Sequence, residues 1–144
     1  MPCMRQDGRN AYEILTASGK RLEIITNGNE RKDEKILFID DSESFRFLLK
    51  EELSEEGYKV VTANSNEEVL SKYREFTPDL IILELRQKNV KEESFEQLKK
   101  QYPNIPWVGY STFNQCPEEF KKWVHFYLPK SSETEGLKGL IKNF

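Results

Sequence analysis

Cysteine and histidine are scarce in this sequence, and their scarcity excludes several kinds of site. The chain has two cysteines, Cys3 and Cys116, and a single histidine, His125. The cysteines do not form a CxxC pair, so neither a zinc site nor a disulfide framework is expected. Nucleophilic catalysis by a Cys–His pair is conceivable on composition alone, and we give it little weight. We interpret His125 as structural, because it precedes a predicted strand instead of standing on a helix.

Long apolar runs and an excess of one charge are also missing. Aliphatic stretches such as Leu80–Leu83 are far too short to span a bilayer. The polar start MPCMRQDGRN lacks the apolar segment of a signal peptide. The formal net charge is −3, from 22 basic and 25 acidic residues that are mixed along the chain. This pattern argues against nucleic-acid binding, and we expect a cytoplasmic protein with no membrane partner.

The sequence does contain enough apolar material for one packed domain of ordinary size. Hydrophobic residues make up 37% of its 144 residues, which is too many for a disordered chain. Residues 1–34 differ from the rest, with two short apolar patches around a Ser18-Gly19 turn signal and then a polar linker, NGNERKDE. We interpret residues 1–34 as an N-terminal extension, either flexible or docked as a weak hairpin, and residues 35–144 as the main domain.

From residue 35 onward, short apolar runs alternate with segments of helical periodicity. The runs KILFID, YKVVTA, DLIILEL, IPWVGYS and FYLPK predict five strands, and the segments after them predict five helices. Ser42 is a candidate N-cap, Ser65 and Glu68 form a capping box, and Pro117 begins the fourth helix. Strands that are apolar on both faces are typical of a parallel sheet covered by helices. The predicted fold is therefore α/β, with a doubly wound five-stranded parallel sheet flanked by five helices.

Polar side chains follow four of these strands at their carboxyl ends, where open α/β sheets bind ligands. They are Asp40 and Asp41, Glu84, Ser111 and Lys130. Carboxylates that lie close together need a cation or raised pKa values, and clustered oxygen ligands suit Mg²⁺. A lysine and a hydroxyl beside them can bind a tetrahedral oxyanion. This combination indicates phosphoryl-transfer chemistry.

Residues 35–144 resemble a response-regulator receiver domain of two-component signalling. The matching stretches are ILFIDD, EEGYKVVTA, TPDLIILEL, PNIPWVGYST and FYLPKS, in this order. The resemblance implies a flavodoxin-like sheet with strand order 2-1-3-4-5. It also implies roles for the site residues. Mg²⁺ would be bound by Asp40, Asp41, Glu84 and the backbone carbonyl of Arg86, and Glu84 stands at the phosphoacceptor position. Ser111 and Lys130 would contact the phosphoryl group, and Ser111 and Tyr127 would form a switch.

Three departures from the family pattern bear on function. Glu84 stands where the family has aspartate, and it extends the carboxylate by about one C–C bond, ~1.5 Å. Since a misplacement of ~1 Å can cost ~10²-fold in rate, we expect a pseudo-receiver that works without phosphorylation. Whether Glu84 holds the domain in an active-like state stays an open question. The loop RQKNVKEES lacks the family's Pro and Gly, at Lys88 and Glu92, which leaves Mg²⁺ binding open. The fourth helix is expected to be about one turn short.

The leading hypothesis is a stand-alone receiver-like domain in phosphorelay signalling that is not an enzyme. The expected upstream partner is a histidine kinase or another signalling protein. An output partner is expected at the face formed by the fourth helix, fifth strand and fifth helix. Whether the domain forms a homodimer through that face stays an open question. The alternatives are a receiver still modulated by Mg²⁺ or a phosphoryl donor, a small phosphotransfer enzyme, and a scaffold with a vestigial pocket. The enzyme is disfavoured because no general base or Gly-rich phosphate loop accompanies the acids.

Interpretations that assign no function to the same residues also stay open. Asp40 and Asp41 could be an acidic pair at a helix N-terminus, and Glu84 could be a solvated strand end. Trp107 and Trp123 are expected to be packing residues.

Overall fold

The strands of the described residues form one mixed sheet, most of which is a run of five parallel strands. The computed structural model describes residues 3–4, 10–26 and 34–143. The parallel strands are β4 (Lys35–Ile39), β5 (Lys59–Ala63), β6 (Leu80–Leu83), β7 (Trp107–Ser111) and β8 (Phe126–Pro129). Their spatial order is β5-β4-β6-β7-β8, which is the predicted order 2-1-3-4-5. The predicted α/β fold class is confirmed.

Four α-helices connect and follow these strands. They are α1 (Glu43–Glu55), α2 (Asn66–Lys72), α3 (Glu92–Gln101) and α4 (Glu135–Ile141). Ser42 caps α1, because its hydroxyl accepts the Phe45 N–H at 3.4 Å. Ser65 caps α2 by accepting the Glu68 N–H at 3.1 Å. The two predicted caps thus satisfy backbone N–H groups that have no partner within the helix.

The parallel part of the sheet is apolar on both faces, as a parallel sheet covered on both sides requires. Alternate strand residues divide between two buried clusters: Leu37 and Ile39 belong to one, and Ile36 and Phe38 to the other. The first cluster includes Val69, Phe95 and Leu98 of α2 and α3. The second includes Leu49 and Leu53 of α1 with Leu137 and Leu140 of α4. The helices therefore fix the sheet from both sides and hold its strand ends in place.

The predicted fourth helix is wrong. The stretch after Pro117 forms only a 3-10 turn, Glu118–Phe120, and continues with i→i+3 hydrogen bonds from Lys121 and Trp123. The chain must enter β8 at Phe126 soon afterwards, and the Trp-Val-His run before that strand has low helix propensity. The protein therefore has four α-helices in its described part, where the sequence predicts five.

An antiparallel hairpin precedes the parallel strands. It consists of β2 (Asn10–Thr16) and β3 (Arg21–Thr26), and β2 also pairs with a two-residue strand, β1 (Cys3–Met4). Gly19 takes a φ of +90° in the turn and donates its N–H to the Thr16 carbonyl at 3.0 Å. The last residues of β2 pair with β8 at Leu15↔Tyr127 and Thr16↔Phe126. The hairpin thus extends the sheet at its β8 edge.

The boundary between residues 1–34 and the main domain stays a prediction. The greater part of the polar linker predicted before β4, residues 27–33, lies outside the described residues. Among the described residues, no helix has the length and apolar character needed to cross a membrane.

Candidate functional site

Backbone hydrogen bonds bring the predicted site residues to one edge of the sheet. Each residue just beyond its strand makes one more bond to a neighbouring strand: Asp40 N–H to the Ala63 carbonyl at 3.0 Å, Glu84 N–H to the Ile39 carbonyl at 2.8 Å, and Lys130 N–H to the Ser111 carbonyl at 2.6 Å. The strand register continues into these bonds, with Ile39 beside Leu83. The side chains that follow the strands therefore start from fixed positions at the same edge.

The ammonium of Lys130 lies between two buried carboxylates. Its Nζ is 2.6 Å from Asp40 Oδ2 and 3.9 Å from Glu84 Oε1. The side chains of Lys130 and Asp40 are 6% and 0% exposed, and that of Glu84 is 7% exposed. Water screens such a buried pair little, and removing one of its partners costs more than breaking a surface ion pair. The structure therefore brings Asp40, Glu84 and Lys130 together as the sequence predicts.

Burial shifts the acid–base behaviour of both carboxyl groups. It raises the pKa of Asp40, while the Lys130 ammonium and the Ser42 N–H oppose the rise. It also raises the pKa of Glu84, against the nearby Ser111 hydroxyl and the charge of Lys130. The charge of Asp41 adds to the rise for both groups. The site thus holds more acidic groups than its one ammonium neutralises.

Three oxygen atoms at the site are buried without a hydrogen-bond partner among the described residues. They are Asp40 Oδ2, which contacts Lys130 as an ion pair, Glu84 Oε2 and Ser111 Oγ. Ser111 itself is fully buried. Unpartnered buried polar atoms are uncommon in folded proteins and tend to lie at functional sites. The pocket therefore contains polar atoms that the protein's own hydrogen bonds do not use.

Two of the predicted metal ligands, Asp40 and Asp41, have partners within the protein. Among the described residues, no three Asp, Glu, His or Cys side chains are grouped so that they could hold a metal ion. Asp41 Oδ2 accepts the Lys88 N–H at 2.8 Å, and Asp40 is engaged by Lys130. The predicted ligand at Arg86 is its backbone carbonyl; its side chain lies on the surface, with Nη1 3.4 Å from Thr112 Oγ1 and the guanidinium over the Phe113 ring. Asp40 and Asp41 are therefore engaged by other groups of the protein, and Mg²⁺ binding by Asp40, Asp41, Glu84 and the Arg86 carbonyl stays a prediction.

The comparison with protein families decides what kind of domain this is. The family model of the response regulator receiver domain matches residues 36–142. This match covers most of the chain. The chain belongs to the response regulator receiver domain family.

Known proteins support the assignment as a receiver domain. The sensor kinase/phosphatase CqsS of Vibrio cholerae is 32% identical over 95 residues, which are 63% of this chain and 14% of CqsS. The response regulator TrrA of Thermotoga maritima, solved with Mg²⁺-BeF, is 31% identical with a TM-score of 0.67, covering 76% of this chain and 96% of TrrA. CheY4 of Vibrio cholerae is 26% identical with a TM-score of 0.66, covering 78% and 100%.

Two further findings concern the length of the relatives and a known complex of one of them. The chain spans between 14% and 23% of the length of the curated relatives it matches. TrrA has also been solved in complex with the histidine kinase ThkA. Receiver domains are signalling domains of two-component systems, and this chain is a receiver domain.

Tyr127, the predicted switch aromatic of the receiver domain, is fully buried. Its hydroxyl donates to the backbone carbonyls of Phe113 at 2.5 Å and Ser111 at 3.1 Å. Its ring lies directly over Gly109, where an added Cβ would come 3.0 Å from Tyr127 Cδ1. The ring therefore occupies an inward position that a larger residue at 109 would obstruct. A movement of this ring remains a prediction.

A buried amide network that sequence reasoning missed holds the loop after Glu84. Gln87 Nε2 donates to the Glu84 carbonyl and to Asn66 Oδ1, both at 2.9 Å, while Gln87 Oε1 accepts the Asn66 N–H at 3.0 Å. Asn66 Nδ2 donates to Ser94 Oγ at 3.0 Å. The loop lacks the receiver family's Pro and Gly at Lys88 and Glu92, and these side-chain hydrogen bonds fix it instead. No sequence pattern marks a lone Gln as such a residue.

Phe45 is a second residue that the sequence did not assign to the site. The Lys130 ammonium lies 4.2 Å from the centroid of the Phe45 ring, within cation–π range. The same ring meets Tyr110 edge to face, with centroids 6.4 Å apart. Helical periodicity identifies Phe45 only as a core-facing residue of α1. Its place in the first turn, just after Asp41, is the signal that could have placed it beside the pocket.

Proposed function

We propose that this chain is a receiver domain that works in two-component signalling without being phosphorylated. In this proposal, Glu84 is a permanent part of the pocket and not an acceptor. Together with Asp40 it holds the Lys130 ammonium inside the fold. The domain then acts as a regulatory binding module, not as an enzyme.

The position of the Glu84 carboxylate carries this proposal. It lies 3.9 Å from the Lys130 ammonium, beside Ser111, and the residue is 5% exposed. These are the two groups that the family resemblance assigns to the phosphoryl oxygens. Phosphorylation of Glu84 would replace the single charge of its carboxylate with the larger charge of a phosphoryl group, in a pocket that also holds the carboxylates of Asp40 and Asp41. The longer side chain also shifts the acceptor oxygen by about one C–C bond, ~1.5 Å.

In this proposal, the positive charge that neutralises the buried carboxylates is that of Lys130 and not that of a bound Mg²⁺ ion. Lys130 faces Asp40 at 2.6 Å, and the Phe45 ring covers the ammonium from another side. Because this ion pair occupies Asp40, a Mg²⁺ ion would have to displace it before using that carboxylate. We therefore propose that Mg²⁺ is not required for the working state.

The partners follow from the family and remain part of the proposal. TrrA binds the histidine kinase ThkA, so a histidine kinase or a related signalling protein is the proposed upstream partner. An output protein is proposed for the face made by residues 118–120, β8 and α4. This face differs from the receiver pattern, because the fourth helix is replaced by a 3-10 turn.

Intact-mass measurement after incubation with acetyl phosphate and Mg²⁺ tests the proposal. The wild-type chain should show no mass increase by a phosphoryl group. Glu84→Asp should gain an acid-labile phosphoryl group, since aspartate restores the shorter acceptor. Glu84→Gln is the control without a carboxylate and should stay unlabelled.

Stoichiometric, acid-labile label on the wild-type chain that disappears in Glu84→Gln would overturn the proposal. It would instead favour a receiver that uses glutamate as its acceptor. Continuous release of phosphate from acetyl phosphate by the wild-type chain, lost in Glu84→Gln, would favour the phosphotransfer enzyme.

A further inference from the structure

The sheet of this receiver domain continues beyond β8 into a strand from the chain's own N-terminal segment. The family match begins at residue 36. The similar structures TrrA and CheY4 are covered over 96% and 100% of their lengths by about three quarters of this chain. These folds are therefore complete without a counterpart of residues 10–26. The hairpin is an addition to the edge of a sheet that can close without it.

The backbone pairing that attaches this hairpin to β8 is short, and β2 also lies against α4. Within the hairpin, β2 and β3 pair from Asn10↔Thr26 to Leu15↔Arg21, whereas β2 meets β8 at only Leu15↔Tyr127 and Thr16↔Phe126. Farther along β8, Pro129 has no N–H to give to a neighbouring strand. The β8 edge therefore offers a pairing segment of about two residues, and β2 fills it.

A small side chain anchors the hairpin next to that segment. Ala17 is 4% exposed and belongs to the same buried cluster as Tyr127, Val124 and Cys116. Ser18, the next residue in the turn, is exposed. The turn thus inserts one methyl group into the core beside β8. Extended backbone pairing combined with a pocket for one side chain is the way in which sheet edges bind strands.

We propose that the β8 edge, together with the buried space filled by Ala17, is a docking site for an antiparallel strand that carries a small apolar residue. The chain fills this site in cis with β2, so a strand from elsewhere binds only when the hairpin leaves. Residues 10–26 themselves are the segment that fits this site. Because the occupied residues include Tyr127, occupancy of the edge is coupled to the strand that carries the predicted switch aromatic.

The test uses the full chain with Ala17→Glu, and Ser18→Glu as the matched control one residue away. Burial of a carboxylate without a partner is unfavourable, so Ala17→Glu should release the hairpin. Hydrogen–deuterium exchange of residues 126–129 should then speed up roughly tenfold or more, while exchange in β4 and β6 stays slow. Ser18→Glu should leave exchange in all three strands unchanged.

A synthetic peptide of residues 10–26 then probes the vacated edge. Added to the Ala17→Glu chain, it should restore slow exchange at residues 126–129, whereas the same peptide with Ala17→Glu should not. Three results would each overturn the proposal: unchanged β8 exchange in Ala17→Glu, equal acceleration in β4 and β6, or no effect of the wild-type peptide. Equal acceleration would mean that the hairpin is an integral part of the cooperative fold. None of these outcomes depends on whether Glu84 is phosphorylated.

Discussion

Lys130 and Asp40 form a buried ion pair, with Lys130 Nζ 2.6 Å from Asp40 Oδ2. The pair joins the carboxyl ends of β8 and β4, two strands that are not neighbours in the sheet. It therefore closes the pocket across β6 and β7. The ion pair explains how acidic side chains can be buried at this sheet edge, because it supplies one of them with an opposite charge.

Removing the Lys130 ammonium should destabilise the fold strongly. Lys130→Met leaves Asp40 and Glu84 buried without their cation, and we expect the free energy of unfolding to fall by about 3–5 kcal/mol. Urea unfolding at neutral pH measures this change. The exposed Lys100→Met on α3 is the control and should stay within about 0.5 kcal/mol of wild type. Equal effects of both substitutions would contradict the expected cost of leaving Asp40 and Glu84 buried without a cation.

A methyl group at position 109 should disturb the inward ring of Tyr127. An added Cβ would lie 3.0 Å from Tyr127 Cδ1 and 3.3 Å from Leu85 Cδ1, so Gly109→Ala should lower the free energy of unfolding by about 1–3 kcal/mol. Gly136→Ala on α4 meets nothing within 4 Å and should raise it by about 0.5–1 kcal/mol. Thermal and urea unfolding give both values. If Gly109→Ala is also stabilising, the ring is not held tightly against residue 109.

The loop after Glu84 should depend on the amide of Gln87. Gln87→Leu has a similar volume but leaves the Asn66 N–H and the Glu84 carbonyl without this partner. We expect a loss of about 2–4 kcal/mol in the free energy of unfolding. The exposed Gln97→Leu on α3 provides the control for the same chemical change. A small effect at residue 87, similar to that at residue 97, would contradict the role given to the network.

His125 should make stability depend on pH. Its Nδ1 accepts the backbone N–H of Trp107 at 3.0 Å. Partial desolvation of the ring, in a residue that is exposed as a whole, lowers its pKa below 6.5 together with the charge of Lys99. The unfolded chain therefore takes up a proton at a higher pH than the folded chain. As a result, the free energy of unfolding falls as the pH drops from about 6.5 through the folded-state pKa.

The variant His125→Asn separates this effect from other titrations. Its side-chain oxygen can still accept the Trp107 N–H, but it does not titrate. Unfolding measured between about pH 7.5 and 5 should show wild type losing stability relative to the variant on the acid side. A constant difference across this range would mean that the folded ring titrates like that of the unfolded chain.

Much of the pocket could be predicted from the sequence because strand ends fix it. Asp40, Glu84 and Lys130 each follow an apolar run, and parallel strands present their carboxyl ends at one edge of the sheet. The spacing of the runs is therefore enough to predict which side chains meet. The two N-caps were predictable for a similar reason, since Ser42 and Ser65 act within a single turn.

The remaining features depend on contacts between distant parts of the chain. The pairing of β2 with β8 joins residues 15 and 127 through backbone groups, which carry no sequence signal. The Phe45 ring reaches Lys130 only after α1 packs on the sheet. The missing fourth helix follows from how few residues are left before β8 must begin, and local propensity alone does not reveal it.

A titration of the wild-type chain with Mg²⁺ and beryllofluoride, followed by two-dimensional amide NMR, tests most directly whether the pocket is closed to a phosphoryl group. TrrA has been solved with this phosphoryl mimic. We expect no saturable shifts at Gly109, Ser111, Tyr127 or Lys130 in wild type, and clear shifts at these residues in Glu84→Asp. Saturable shifts of the same residues in the wild-type chain would contradict phosphorylation-independent signalling.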